Sequence, residues 1–246
     1  MSNFINLNPG TNPNSVTVDV WSDIVCPFCY IGKRNLEKAI ELTGLQGNTA
    51  IVWHSFELAP DAVTDANVSI YEALGKRKGW SLEQSVQIHR QMEQRALESG
   101  LVYDFDKTVP ANSFKAHRLL HLALRQHVQN EVKELLLKAY FTDGENIDDD
   151  TFLIGLGTSA GLNKADIQAS LKDESVAGEV MEDVRTAQTL GISGVPFFVF
   201  NQKYAISGAQ PVEVFVQALT KIKEENQINP SSSANAEYCG PDGVCN

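Results

Sequence analysis

Long apolar runs are missing from this 246-residue chain; no stretch approaches the roughly 20 residues needed to span a bilayer. Basic residues are in short supply too, 20 Lys and Arg against 31 Asp and Glu, for a formal net charge of −11. That balance excludes a general nucleic-acid binder and a protein held to an anionic membrane by charge. Residues 1–15 are polar, with no basic segment leading into an apolar one, so no signal peptide is read there. Cysteine is scarce as well: four residues in two local pairs, Cys26 with Cys29 and Cys239 with Cys245. The expected compartment is the cytoplasm, where structural disulfides are rare. Two local pairs there point to redox or metal chemistry rather than to a stapled scaffold.

What is present centres on Trp21-Ser22-Asp23-Ile24-Val25-Cys26-Pro27-Phe28-Cys29-Tyr30-Ile31-Gly32. The β-branched run Val16–Trp21 reads as a strand. After the cysteines, Leu36, Ala39, Ile40 and Thr43 keep helical spacing up to Gly44, a helix-ending residue. Cys26 and Cys29 therefore stand at a strand-to-helix junction, where free backbone N–H groups and the positive helix end favour a thiolate. Pro27 suits the first helical position, where its missing N–H costs nothing. A zinc half-site or a pair of buried structural thiols is the competing reading. Helix-end electrostatics contribute at most about 2 kcal/mol, which takes a cysteine from about 8.5 to about 7.

Residues 50–56 read as a second strand, completing a βαβ unit expected to be parallel and right-handed. From Val63 to Leu190 the periodicity is helical. Ser69 with Glu72 and Ser81 with Gln84 are capping-box patterns. Apolar faces follow at Ala116, Leu119, Leu120, Ala123 and Leu124, and at Val132, Leu135, Leu136, Ala139 and Tyr140. Asp148, Asp149 and Asp150 mark a further helix start. Strands return at Val195–Phe200 and Lys203–Ile206 around a tight turn at Asn201-Gln202, and Pro211 opens a last amphipathic helix. The expected architecture is an α/β thioredoxin-like fold, βαβ then ββα, with a large inserted all-helical subdomain. Residues 16–62 and 191–224 form the thioredoxin-like part and 63–190 the insertion. A polar segment, 1–15, and a tail, 225–246, flank them. The tail is rich in Glu, Asn, Pro and Ser and is expected to be flexible.

The chain resembles the DsbA-like thioredoxin superfamily and, within it, the FrnE-like dithiol–disulfide oxidoreductases. The matching residues are Asp19, Asp23-Ile24-Val25-Cys26-Pro27-Phe28-Cys29-Tyr30-Ile31-Gly32, Phe56-Glu57-Leu58-Ala59-Pro60, Asn112, Ala116-His117-Arg118-Leu119 and Gly194-Val195-Pro196-Phe197-Phe198. The resemblance implies that Cys26 attacks and Cys29 resolves, with Pro27 and Phe28 between them. It also implies a cis Val195–Pro196 bond facing the pair, the Val195 backbone being free to pair with an extended substrate; an ordinary trans proline at a strand start is the alternative. Strongly oxidising members carry histidine between the cysteines, so Phe28 implies a less oxidising couple. A C-terminal cysteine pair is likewise a FrnE-type feature, and Cys239 and Cys245 are read as a second redox pair, zinc ligands or incidental thiols.

His54 either assists proton transfer at the cysteines or is a satisfied strand-end histidine, the second being the favoured reading. His117 and His121 lie four apart on a helix, but Arg118 stands where a zinc protease has glutamate, so no metal site is assigned. Expected partners are protein or small-molecule thiols and disulfides, glutathione among them, with no nucleic acid, no membrane and no cofactor. Related glutathione-dependent isomerases and transferases, of the kappa and 2-hydroxychromene-2-carboxylate isomerase types, have serine where Cys26 stands. They are the alternative activity, and a redox- or zinc-linked chaperone is a third.

Overall fold

A computed structural model of the protein describes residues 15–226. Four strands form one mixed sheet in the order β2-β1-β3-β4. Strand β1 (Val16–Ser22) leads through α1 (Pro27–Thr43) into β2 (Thr49–Ser55), which pairs with β1 in parallel from Val16↔Thr49 to Ser22↔Ser55. Strands β3 (Phe197–Phe200) and β4 (Tyr204–Ser207) are antiparallel, β3 running against β1 from Val18↔Phe200 to Trp21↔Phe197. Their turn has positive φ at both Asn201 (48°) and Gln202 (56°), the backbone twist a tight hairpin requires. Helix α9 (Val212–Glu225) follows. The predicted order βαβ then ββα is the order observed.

Alternation along β1 sorts the two faces. Val16, Val18 and Val20 pack with Leu36, Ala39 and Ile40 of α1 and with Phe215, Leu219 and Ile222 of α9. Trp21 points to the other face, against Ala187 and Ile192. Gly44 ends α1 in the left-handed conformation at φ 66°.

Between β2 and β3 the described chain is helical: α2 (Ile70–Lys78), α3 (Leu82–Glu98), α4 (Phe114–Arg125), α5 (Gln129–Lys138), α6 (Asp150–Ser159), α7 (Lys164–Ser170) and α8 (Glu174–Thr189). Both capping boxes form, Ser69 with Glu72 and Ser81 with Gln84, and Asp149 caps α6 by accepting from the Phe152 N–H. A π-helical turn, Ala139–Asp143, continues α5. The block has its own core, in which Leu119, Leu120, Leu136, Phe141 and Leu153 are buried, and Ile24, Tyr30 and Ile31 from around the cysteines pack into it. The block and the cysteine loop thus share one apolar interior. No helix among the described residues is long and apolar enough to cross a membrane. Cys239 and Cys245 lie outside the described residues.

Candidate active site

Strand β1 ends at Ser22, and the chain turns through Asp23 to place Cys26 at the N-cap of α1, with φ −96° and ψ 111°. Pro27 occupies the first helical turn, as expected. The Cys29 N–H donates to the Cys26 carbonyl at 2.9 Å, closing the turn that brings the two thiols together. Both are free thiols. Both are buried, Cys26 keeping 3% exposure and Cys29 none.

The Cys26 thiol donates to the Val195 carbonyl at 3.5 Å, and the Val195–Pro196 peptide bond is cis. Residues 169 positions apart are thereby brought face to face. Gly32, one turn beyond Cys29, makes room for this: a Cβ there would stand 3.0 Å from both Pro196 Cγ and Phe198 Cζ. The ladder begins only at Phe197, two residues later than expected, with Val195 and Pro196 ahead of it. Phe28 lies under the Arg95 guanidinium, 5.1 Å from the ring centre. The Tyr103 hydroxyl donates to the Pro27 carbonyl at 2.7 Å.

The charges beneath the pair come from several elements. Asp23 is fully buried; it accepts from the Leu58 N–H at 2.8 Å and lies 3.3 Å from His117 Nε2. Burial opposes the Asp23 charge, but His117 and the Leu58 N–H outweigh it and hold the carboxyl below its ordinary value. Burial lowers His117, so the ring is neutral near pH 7 and donates from Nε2. Lys133 of α5 is also fully buried, and its charge acts on Cys29.

The thiols titrate as a pair. Cys26 is pushed well above the ordinary thiol value, first by its hydrogen bond with the Cys29 sulfur and then by burial. Cys29 is held below it: burial opposes the charge, but the Cys26 thiol, the Lys133 ammonium and the nearby Ser22 hydroxyl outweigh burial. The sequence expectation put the stabilised charge on Cys26, from the helix end alone. In the structure the pair shares its charge, which the inner sulfur holds first through its hydrogen bond with the Cys26 thiol and then through the buried Lys133 of α5.

His54 sits elsewhere in the network. Its Nδ1 is 2.9 Å from Asp183 Oδ1 and its Nε2 3.0 Å from Asp19 Oδ1, so both nitrogens are occupied and neither is left for the cysteines. The satisfied strand-end histidine is the reading the geometry favours. His117 and His121 part company: His117 turns to Asp23, and His121 Nε2 lies 3.1 Å from Asp183 Oδ2. Among the described residues no group of three or more His, Cys, Asp and Glu is arranged to hold a metal ion.

Sequence reasoning missed Lys133, and the apolar pattern hid it. The stripe read at Val132, Leu135, Leu136, Ala139 and Tyr140 does face the core, all but the half-buried Leu135 being buried, and the buried arc extends beyond it to Lys133 and Leu137. Leu137 beside Leu136 was the available signal.

Comparison with known proteins agrees with this geometry. Residues 17–220 match the family model of the DSBA-like thioredoxin domain. The Bacillus subtilis (strain 168) protein YwbO is 26% identical over 214 residues, covering 84% of this chain and 96% of that relative. A probable DsbA oxidoreductase from Streptomyces coelicolor, SCO1869, has a solved structure 36% identical in sequence, with TM-score 0.78 over 94% of this chain and 98% of that one. A 2-hydroxychromene-2-carboxylate isomerase shares the fold, with TM-score 0.63 at 17% identity over 87% of this chain and 99% of that one.

Proposed function

The chain belongs to the DSBA-like thioredoxin family, and on that premise we propose that it is a dithiol–disulfide oxidoreductase in which Cys26 attacks and Cys29 resolves. The observation that carries the reading is the Cys26 sulfur at the helix N-cap, 3.5 Å from the carbonyl of the residue before cis-Pro196 and paired with a second free thiol. The two thiols share one charge. As a substrate disulfide approaches, the proton passes from Cys26 to Cys29 and the Cys26 thiolate attacks. A mixed disulfide forms and one substrate sulfur leaves as a thiolate, which takes the Cys29 proton and so returns Cys29 to the thiolate. Cys29 then attacks Cys26, closing the intramolecular disulfide and releasing the second substrate sulfur. Run backwards, the same steps oxidise a dithiol.

An extended polypeptide pairing with the backbone at Val195 is the substrate geometry we favour, a strand-addition mode; glutathione is the small-molecule candidate. Phe28 supports a couple less oxidising than histidine-bearing members, and the assignment within the family is FrnE-like. We place the protein in the cytoplasm. The isomerase reading rests on the shared fold, and the second thiol at Cys29 favours redox chemistry over it. Insulin reduction and scrambled-ribonuclease reactivation test the proposal. Cys26→Ser should lose thiol exchange and Cys29→Ser should trap mixed disulfides, while Cys239→Ser reports whether the C-terminal pair takes part. Full exchange activity in Cys26→Ser would sink it.

A further inference from the structure

Every arginine of the chain but one is answered by a carboxylate. Arg34 pairs with Glu37 and Glu134, Arg77 with Asp61, Arg90 with Glu93 and Asp106, Arg118 with Glu174, Arg125 with Glu179 and Arg185 with Glu182. Arg95 of α3 has neither an ion pair nor a hydrogen bond among the described residues, in a chain where acids outnumber bases 31 to 20. Its guanidinium lies instead over the ring of Phe28, inside the cysteine motif. Stacking holds the plane of a guanidinium and leaves the N–H groups along its edge free, the arrangement that grips a carboxylate with two hydrogen bonds.

The register of the helices places that edge toward the cysteine end of α1. Arg95 meets Phe28, and four residues on the Ser99 hydroxyl donates to Asn35 Oδ1 at 3.4 Å, so α3 and α1 run side by side in the same sense. Side chains of a helix lean toward its N-terminus, and that direction along α3 is the cysteine end of α1. Phe28 stands two residues after Cys26, about 3 Å further along the helix axis. Tyr103, through the Pro27 carbonyl, fixes the chain after α3 to the same turn. Arg95 is exposed, and Phe28 and Val195 are half-buried. We propose that Arg95 is a specificity residue that binds a carboxylate on the substrate, so that the site prefers disulfides with an acid a few atoms from the sulfur. The proposal rests on the dithiol reading above and leaves its chemical steps as they stand: the carboxylate docks on the guanidinium while the substrate sulfur meets Cys26.

The test is the rate at which the reduced full chain, with Cys239 and Cys245 changed to serine, reacts with matched disulfides in excess, followed by acid quench and chromatography. One matched pair is glutathione disulfide and its ethyl ester with every carboxylate blocked. The other is a looped peptide disulfide with aspartate or asparagine two residues from a cysteine, a spacing that an extended strand puts on one side. Arg95→Gln should lower the ratio of acid to blocked rates about fivefold or more in at least one pair at low salt, and Arg95→Lys should lower it less because the charge stays. Added salt should shrink the wild-type ratio. A fall with glutathione disulfide alone assigns a small free acid, and a fall in the peptide pair assigns an acidic polypeptide. Ratios that Arg95→Gln leaves unchanged in both pairs overturn the role of Arg95, as does a loss of rate shared equally by acid and blocked forms. Cys26→Ser reacting with these disulfides as fast as wild type overturns the dithiol reading beneath it.

Discussion

His54 ties the sheet to the helical block through charge, and that tie sets a pH dependence of stability. The imidazole stacks on Trp21 with ring centres 4.6 Å apart and bridges Asp19 of β1 to Asp183 of α8. Burial opposes its charge, but hydrogen bonds to Asp183 and Asp19 raise it from 6.5 to about 9. That difference corresponds to about 3 kcal/mol of folding stability, and most of it survives screening because the side chain is only 13% exposed. The folded value lies above the unfolded one, so the contribution is complete below about pH 6.5 and is lost as pH rises through about 9. The depressed Asp183 carboxyl is the other side of the same pair and is not added to it. His54→Gln keeps a donor and removes the charge. In urea unfolding followed by tryptophan fluorescence, the gap between wild type and His54→Gln should be widest near pH 6 and shrink by about 3 kcal/mol toward pH 10. Titrations of other groups occur in both proteins and cancel in the difference. A gap that stays constant across this window would refute the reasoning, as would a His54 midpoint near its ordinary value by NMR.

Two further substitutions test how the site is held. Gln129→Ala leaves the Trp53 N–H and C=O at a covered strand edge without their side-chain partners; a loss of about 2–3 kcal/mol in urea unfolding is expected, and a change below about 0.5 would count against the clamp. Gly32→Ala drives a methyl to 3.0 Å from Pro196 Cγ and Phe198 Cζ. About 1–3 kcal/mol of destabilisation together with slower insulin reduction is expected, and a variant matching wild type in both would show that this contact relaxes without consequence.

The parts of the fold legible in the sequence are those where a local rule and the global structure agree. Alternation in Val16–Trp21, the capping boxes at Ser69 and Ser81, the left-handed Gly44 and the hairpin turn at Asn201-Gln202 each follow from backbone chemistry within a few residues, and each is present. Cys26 and Cys29 were legible because strand, proline and helix all converge on them. Pro196 became legible through the family pattern, since a lone proline at a strand start is ambiguous. The rest was hidden for one physical reason: a polar residue inside an apolar arc reads as surface until its partner, far away in sequence, is known. Asp23 with His117, 94 residues apart, and Tyr103 with the Pro27 carbonyl, 76 residues apart, are of this kind. Lys133, with no hydrogen-bond partner among the described residues, is the extreme case.

These distant partners change where the control of the couple lies. Arg95 of α3 covers Phe28, Tyr103 in the loop after α3 holds the Pro27 carbonyl, His117 of α4 neutralises the demand of Asp23, and Lys133 of α5 draws charge to Cys29. All four come from between β2 and β3. The βαβ and ββα halves position the two sulfurs and Pro196 and bring Ser22 and Asp23 close to them, and the helical block adds the buried Lys133 to the field in which the sulfurs ionise. The dipeptide between the cysteines is then one contribution among several, because Phe28 brings no charge of its own while Lys133 acts from beneath the pair. Tuning of the couple by substitution should therefore be sought on the buried faces of α4 and α5 as much as between Cys26 and Cys29.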